Sequence, residues 1–143
     1  MDFTGERYIP GLHGNIELEH MHRYLLACEI AANKIVLDIA CGEGYGAALL
    51  AQTAKQVIGV DISEMAITRA QDRYVKDNLK FKVGDCIDIP LQENSVDLVV
   101  SFETIEHITQ HDQMMNEIKR VLKSEGLLMI SSPDKQMYSI EPG

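Results

Sequence analysis

Ile35-Val36-Leu37-Asp38-Ile39-Ala40-Cys41-Gly42-Glu43-Gly44-Tyr45-Gly46 decides the fold. A short apolar run ends in an acid, alternating glycines follow at once, and Ala47-Ala48-Leu49-Leu50-Ala51 then reads as helix. Strand, glycine-rich turn and helix form the unit with which α/β proteins build a nucleotide-sized site at the carboxyl end of a central strand. The backbone must turn sharply there and let a ligand approach where a Cβ would collide, which is why glycine is needed.

Working outward, Met1 to Gly14 holds Pro10, Gly11 and Gly14 and reads as an arm with little regular structure. From Ile16 to Ala32 the residues Leu18, Met21, Leu25, Cys28 and Ala32 recur at three- and four-residue steps, as on one apolar face of a helix. Asn33 and Lys34 end that helix before the first strand. Further strands are expected at Gln56–Val60, Leu79–Val83, Val96–Ser101 and Leu127–Ser131. Ser63 is the expected N-cap of the helix after Asp61. A later helix carries Met114, Ile118, Val121 and Leu122 on one face, with Gly126 following its end. Ile87–Ser95, punctuated by Pro90, leaves room for at most a brief helix. This alternation implies a parallel sheet with right-handed crossovers and helices on both faces.

Length and charge narrow the classes. With 143 residues, 45% of them hydrophobic, the chain suffices for one domain with a real core. A formal net charge of -9 disfavours a broad phosphate-binding surface, so nucleic acid is an unfavoured partner. Cys28, Cys41 and Cys86 lack CxxC spacing, which fits a reducing cytosol and suggests neither a disulfide framework nor a cysteine zinc site. No apolar run approaches the ~20 residues of a membrane span, and the amino-terminal residues do not resemble a signal peptide. A cytoplasmic protein without membrane partners is the expectation.

Two ligands compete for the glycine turn. Gly42-x-Gly44-x-x-Ala47 matches the permissive dinucleotide fingerprint, with Asp61 about 20 residues on for a ribose hydroxyl. Asp38 is harder to reconcile with a pyrophosphate, which a nearby carboxylate would repel. It suits a ligand with a cationic amine, and S-adenosylmethionine carries one and no phosphate.

Val36-Leu37-Asp38-Ile39-Ala40-Cys41-Gly42-Glu43-Gly44-Tyr45-Gly46 resembles the first motif of class I S-adenosylmethionine-dependent methyltransferases, the type 11/12-like members included. Gly59-Val60-Asp61-Ile62-Ser63, Gly84-Asp85-Cys86 and Ser95–Ser101 resemble the next three in order, and Leu122–Leu128 resembles the run into the fifth strand. The resemblance implies a Rossmann-like sheet of order 3-2-1-4-5 with S-adenosylmethionine as cofactor. It also implies a single domain over 1–143, with 1–34 as arm and helix and 35–143 as core. Asp61 would hold both ribose hydroxyls, an ionised carboxylate accepting two hydrogen bonds from a diol. Asp85 would accept from the adenine amine, and the Cys86 N–H would meet the ring. Ala40, Gly42, Gly44, Ile62 and Ser101 complete the implied cofactor set. Simpler readings stand beside these: Asp38 as a cap of its turn, Asp61 as a helix-start residue, Asp85 as a turn acid. Cys41 and Cys86 read as small packing or backbone-contact residues without catalytic role, and Gly46 as serving helix packing.

If Phe102–Ile108 is helical, Glu103, Glu106 and His107 share one face. Two carboxylates and an imidazole can bind a divalent metal such as Mg2+, which would ease deprotonation of a substrate hydroxyl. The spacing resembles the metal motif of ubiquinone-type O-methyltransferases and of enzymes that methylate small-RNA 3′-terminal ribose. Without metal, His107 is the candidate general base, or it orders the helix and lines the pocket. The arm Phe3–Gly11, with Glu19–Tyr24, resembles methyltransferases of polysaccharide and lipopolysaccharide gene clusters, as does Ser131–Lys135 with Tyr138-Ser139. Arg23 or Tyr8 would then suit the methionine carboxylate. The cluster of His20, His22, Arg23 and Tyr24 either closes over the cofactor or is a solvated face with Tyr24 packed inward. The family's final helix and reversed hairpin are missing. Either the sequence is C-terminally incomplete, or a homodimer partner covers the edge of the fifth strand. Methyl transfer to oxygen or nitrogen of a small molecule or sugar is the expected function. RNA ribose 2′-O-methylation with metal and an inactive cofactor-binding fragment are the alternatives.

Overall fold

The structure is a computed structural model that describes residues 14–102, 109–131 and 138–140. Among the described residues ten elements follow one another: α1 (Gly14–Ile30), β1 (Ile35–Ile39), α2 (Tyr45–Leu50), β2 (Gln56–Asp61), α3 (Glu64–Arg73), β3 (Leu79–Val83), β4 (Val96–Phe102), α4 (His111–Val121), β5 (Leu122–Ser131) and β6 (Tyr138–Ile140). The sheet order is β3-β2-β1-β4-β5-β6. β1 to β5 are parallel, in the expected order 3-2-1-4-5, and β6 lies antiparallel on β5.

Strand burial follows from position. β1 and β4 lie inside the sheet and are covered on both faces, so their apolar runs are nearly continuous. β3 is an outer strand, where Lys80 and Lys82 alternate with buried Leu79 and Phe81. Two apolar layers result. Tyr24, Ala27, Ala31, Ala47, Leu50, Ile67 and Ala70 cover one face with helices α1 to α3. Met114, Ile118 and Val121 cover the other from α4, against Leu37, Ile39 and Val99. Ser63 caps α3 as expected, its Oγ accepting from the Ala66 N–H at 3.1 Å. Asn33 takes a left-handed φ of 63° in the turn after α1. No helix among the described residues is long and apolar enough to cross a membrane.

Three expectations are corrected. α1 does not bury its leucine stripe: Leu18 is 59% and Leu25 48% exposed, Ala32 is exposed, and the buried face is Tyr24, Ala27, Cys28 and Ala31. Small residues line most of this face where α1 meets α2, as Cys28 Sγ donating to Leu49 O at 3.3 Å shows, and the large Tyr24 ring is admitted over Gly46. Gly126 does not terminate α4, which ends at Val121 and passes directly into β5. Pairing shifts from Val96↔Leu122 to Leu98↔Leu127, so Lys123–Gly126 bulges out of register. Nor is the edge of β5 bare. Leu128, Met129 and Ile130 pair with Ile140, Ser139 and Tyr138, a strand that the chain itself supplies.

Gly46 shows what the α1–α2 packing demands, because a Cβ there would run into the Tyr24 ring. Its predicted service to helix packing is thus visible in the structure. Gly46→Ala should destabilise the fold by about 1–3 kcal/mol, the cost of overpacking a filled core; urea denaturation that left the midpoint unmoved would contradict this packing.

Candidate cofactor site

The carboxyl ends of β1, β2 and β3 meet in one place, and backbone hydrogen bonds lace their loops together. The Cys41 N–H donates to Val60 O at 2.9 Å and the Gly84 N–H to Asp61 O at 3.0 Å. Between them stands the Asp61 carboxylate. Its Oδ2 accepts from the Gly42 N–H at 2.8 Å and its Oδ1 from the Ser63 N–H at 3.0 Å. Each oxygen keeps a further lone pair for a donor on a ligand.

The glycine turn has a backbone that other residues would resist. Gly42 has φ 58° and Gly44 φ 94°. A Cβ on Gly44 would lie 2.8 Å from Phe81 and 2.9 Å from Ala70, so Gly44 serves packing beneath the loop. Gly42 differs, having nothing within 4 Å of where its Cβ would point. The loop therefore presents bare backbone to open space beside Asp61. Ala40 is exposed at the same turn. Ile62, next to Asp61, is 68% exposed, an apolar side chain left in water at the rim of this opening.

On the β3 side, Asp85 and Cys86 are partly buried in a turn that the Ile87 N–H closes onto Asp85 Oδ1 at 3.1 Å. That turn is anchored from the far face of the sheet. Arg120 of α4 donates to Ile89 O and Leu91 O, both at 2.8 Å, and Glu117 accepts from the Ile89 N–H at 2.8 Å. Arg120 and Glu117 also pair with each other at 2.8 Å. The sequence offered no direct sign of this clamp, since an i, i+3 acid–base pair on a helix reads as a solvated surface pair.

Asp38 lies deeper than the rest. It is fully buried, and Tyr24 Oη donates to both its carboxylate oxygens at 3.1 Å. Burial pushes its pKa from 3.8 up to about 7, against the Tyr24 hydrogen bond, and the Asp61 charge adds to the rise. Of the His20–Tyr24 cluster, Tyr24 packs inward, with its ring edge-on to Phe102 at 4.9 Å. Arg23 is partly exposed on α1. Burial also raises the Cys41 thiol, reinforced by the charges of Asp38 and Asp61, which disfavours its thiolate. Ser101 is fully buried and its Oγ finds no partner among the described residues. Strand alternation puts it on the Val99 side of the sheet, opposite Asp38. Tyr8, Glu103, Glu106 and His107 lie outside the described residues. Among the described residues no group of three His, Cys, Asp or Glu could hold a metal.

Two outcomes follow from these contacts. A carboxyl whose pKa is raised by folding contributes its stability below the ordinary carboxylate range and loses it as pH climbs through about 7. The unfolding free energy of the ligand-free protein should therefore carry a falling component between about pH 4 and pH 7. Asp38→Asn should abolish that component in chemical denaturation. Arg120→Met should loosen the Asp85–Leu91 turn, raising amide hydrogen exchange at Ile87 and Ile89 while the β1–β2 amides stay protected.

The donor set fits S-adenosylmethionine and not a dinucleotide. The Gly42 amide that would face a pyrophosphate is tied to Asp61, and two carboxylates border the loop. Comparisons with known proteins agree. A methyltransferase domain family profile matches residues 37–130. A probable S-adenosylmethionine-dependent methyltransferase of Mycolicibacterium smegmatis is 36% identical over 141 aligned positions, covering 97% of this chain and 54% of the relative. The 27-O-demethylrifamycin SV methyltransferase of Amycolatopsis mediterranei is 33% identical over 107 positions, 71% of this chain and 39% of that protein. In three dimensions the PH0226 protein of Pyrococcus horikoshii is similar, with a TM-score of 0.71 at 31% identity, over 85% of this chain and 58% of that one. The chain thus spans about half the length of the mycobacterial relative. By profile, relatives and fold, it belongs to the class I S-adenosylmethionine-dependent methyltransferases.

Proposed function

We propose that this chain binds S-adenosylmethionine at the carboxyl ends of β1 to β3 and serves methyl transfer to an oxygen or nitrogen of a small molecule or sugar. The observation that carries the reading is the Asp61 carboxylate, fixed by the Gly42 and Ser63 amides beside an open glycine backbone. A carboxylate held by two amides faces a vicinal diol without having to reorganise. Asp61 would take the ribose hydroxyls, and exposed Ile62 would cover one face of the adenine. Asp85 and the Cys86 N–H would meet its edge, and Ala40, Gly42 and Gly44 would line the thioether end. Asp38 would face the amine, and Arg23 or Tyr8 the methionine carboxylate.

When bound, S-adenosylmethionine supplies an electrophilic methyl group on a sulfonium. The protein's contribution would be alignment of donor and acceptor for in-line displacement. A hydroxyl acceptor also needs a base, for which His107 is the candidate. The oxygen or nitrogen acceptor rests on the arm's likeness to polysaccharide-cluster methyltransferases, and the rifamycin relative, by its name, acts on a small molecule. The metal-dependent ribose reading rests wholly on Glu103, Glu106 and His107, and nothing in the described residues favours it.

Calorimetric titration tests the cofactor assignment. S-adenosylhomocysteine should bind and NAD should not. Asp61→Ala should weaken S-adenosylhomocysteine roughly 100-fold, the scale of two lost charge-assisted hydrogen bonds. Unchanged affinity in that variant would remove Asp61 from the ribose.

A further inference from the structure

Tyr24 is seated with more care than core packing requires. Gly46, inside α2, leaves room for its ring, and Phe102 meets that ring edge-on at 4.9 Å. Gly46 stands in the first turn of α2, where a Cβ would run into this ring, so the absence of a side chain there is what admits Tyr24. A phenylalanine would fill the same space. The hydroxyl is what distinguishes the two, and it donates to both oxygens of Asp38.

We infer that Tyr24 is a positioning residue of the amine subsite, its phenol orienting the Asp38 carboxylate and favouring its charged form for a cationic amine. The inference rests on the reading of Asp38 as the partner of the methionine amine. Asp38 stands in an environment that opposes its charge. Val100 beside it in β4 is apolar, and Phe102 lies further along that strand. From β2 the negative charge of Asp61 reaches it, and Cys41 of the loop carries a thiol held protonated. Only Tyr24, from α1, donates a side-chain hydrogen bond to it among the described residues, and His20 packs on the outer edge of the Tyr24 ring at 5.1 Å. A donor to the charged form favours that form. α1 thereby contributes to the amine subsite although none of the family motifs lies on it.

The test is Tyr24→Phe, with Asp38→Asn beside it, titrated with S-adenosylhomocysteine at pH 6 and pH 8. Losing a hydrogen bond to a charged group moves a pKa by roughly one unit. Affinity should therefore fall roughly tenfold at pH 6 and only about twofold at pH 8, because the higher pH restores the carboxylate. An equal loss at both pH values would assign Tyr24 a packing role and overturn the inference. So would unchanged affinity in Tyr24→Phe alongside a large loss in Asp38→Asn. Asp38→Asn binding as tightly as the wild type would instead sink the amine reading of Asp38 itself. In the Asp38→Asn background, Tyr24→Phe should have no pH-dependent effect. That double-variant comparison remains informative even if Tyr24→Phe lowers the melting temperature.

Discussion

One carboxylate ties the functional end of this molecule together. Asp61 accepts the Gly42 N–H from the first loop and the Ser63 N–H at the start of α3, and its own carbonyl accepts the Gly84 N–H from the third loop. Three turns that would otherwise be independent are therefore held in one arrangement. The glycine turn is pinned by it: Gly42 takes a left-handed φ of 58° at no steric cost, and the bond to Asp61 selects that conformation among those open to glycine. Charge-assisted bonds to backbone amides are stronger than neutral ones, so this anchor can hold a loop at the solvent boundary.

Behind that anchor the sheet divides the work between its faces. The face under α1, α2 and α3 carries Asp38, Tyr24 and Phe102, and it packs with alanine and glycine at short distance. The opposite face, under α4, is plain aliphatic packing, yet it reaches around the sheet's end through Glu117 and Arg120 to grip the Asp85 turn. The candidate cofactor site on one side thus leans on a helix from the other. A substitution on α4 can loosen the Asp85 turn from the far face of the sheet.

The central strands were readable from the amino-acid sequence because burial on both faces turns them into unbroken apolar runs, as in Val36–Ile39 and Leu98–Val100. Asp61 and the glycines were readable because few residue types satisfy a positive φ or hold amides from a strand end. The face of α1 was misread because leucines dominate any hydrophobic pattern, whereas alanines that pack closely carry little signal. Tyr24 was read as part of a polar cluster with two alternatives, since its partner Asp38 is distant in sequence. β6 was missed for a different reason: three residues are too few to show a period of two. The Lys123–Gly126 bulge was hidden because a glycine after a helix resembles its terminator.

The place of β1 in the sheet order has a consequence for how the chain becomes a protein. β1 pairs with β2, its neighbour in sequence, but also with β4, which lies far along the chain. Contacts of such long range come late, after loop closure has been paid in entropy. β1, β2 and the glycine turn can therefore associate early, while one side of β1 waits for Leu98–Val100 to arrive. The β4 neighbour that completes this side of β1 stands opposite the buried Asp38, so closing the sheet carries the cost of placing a carboxyl in the interior.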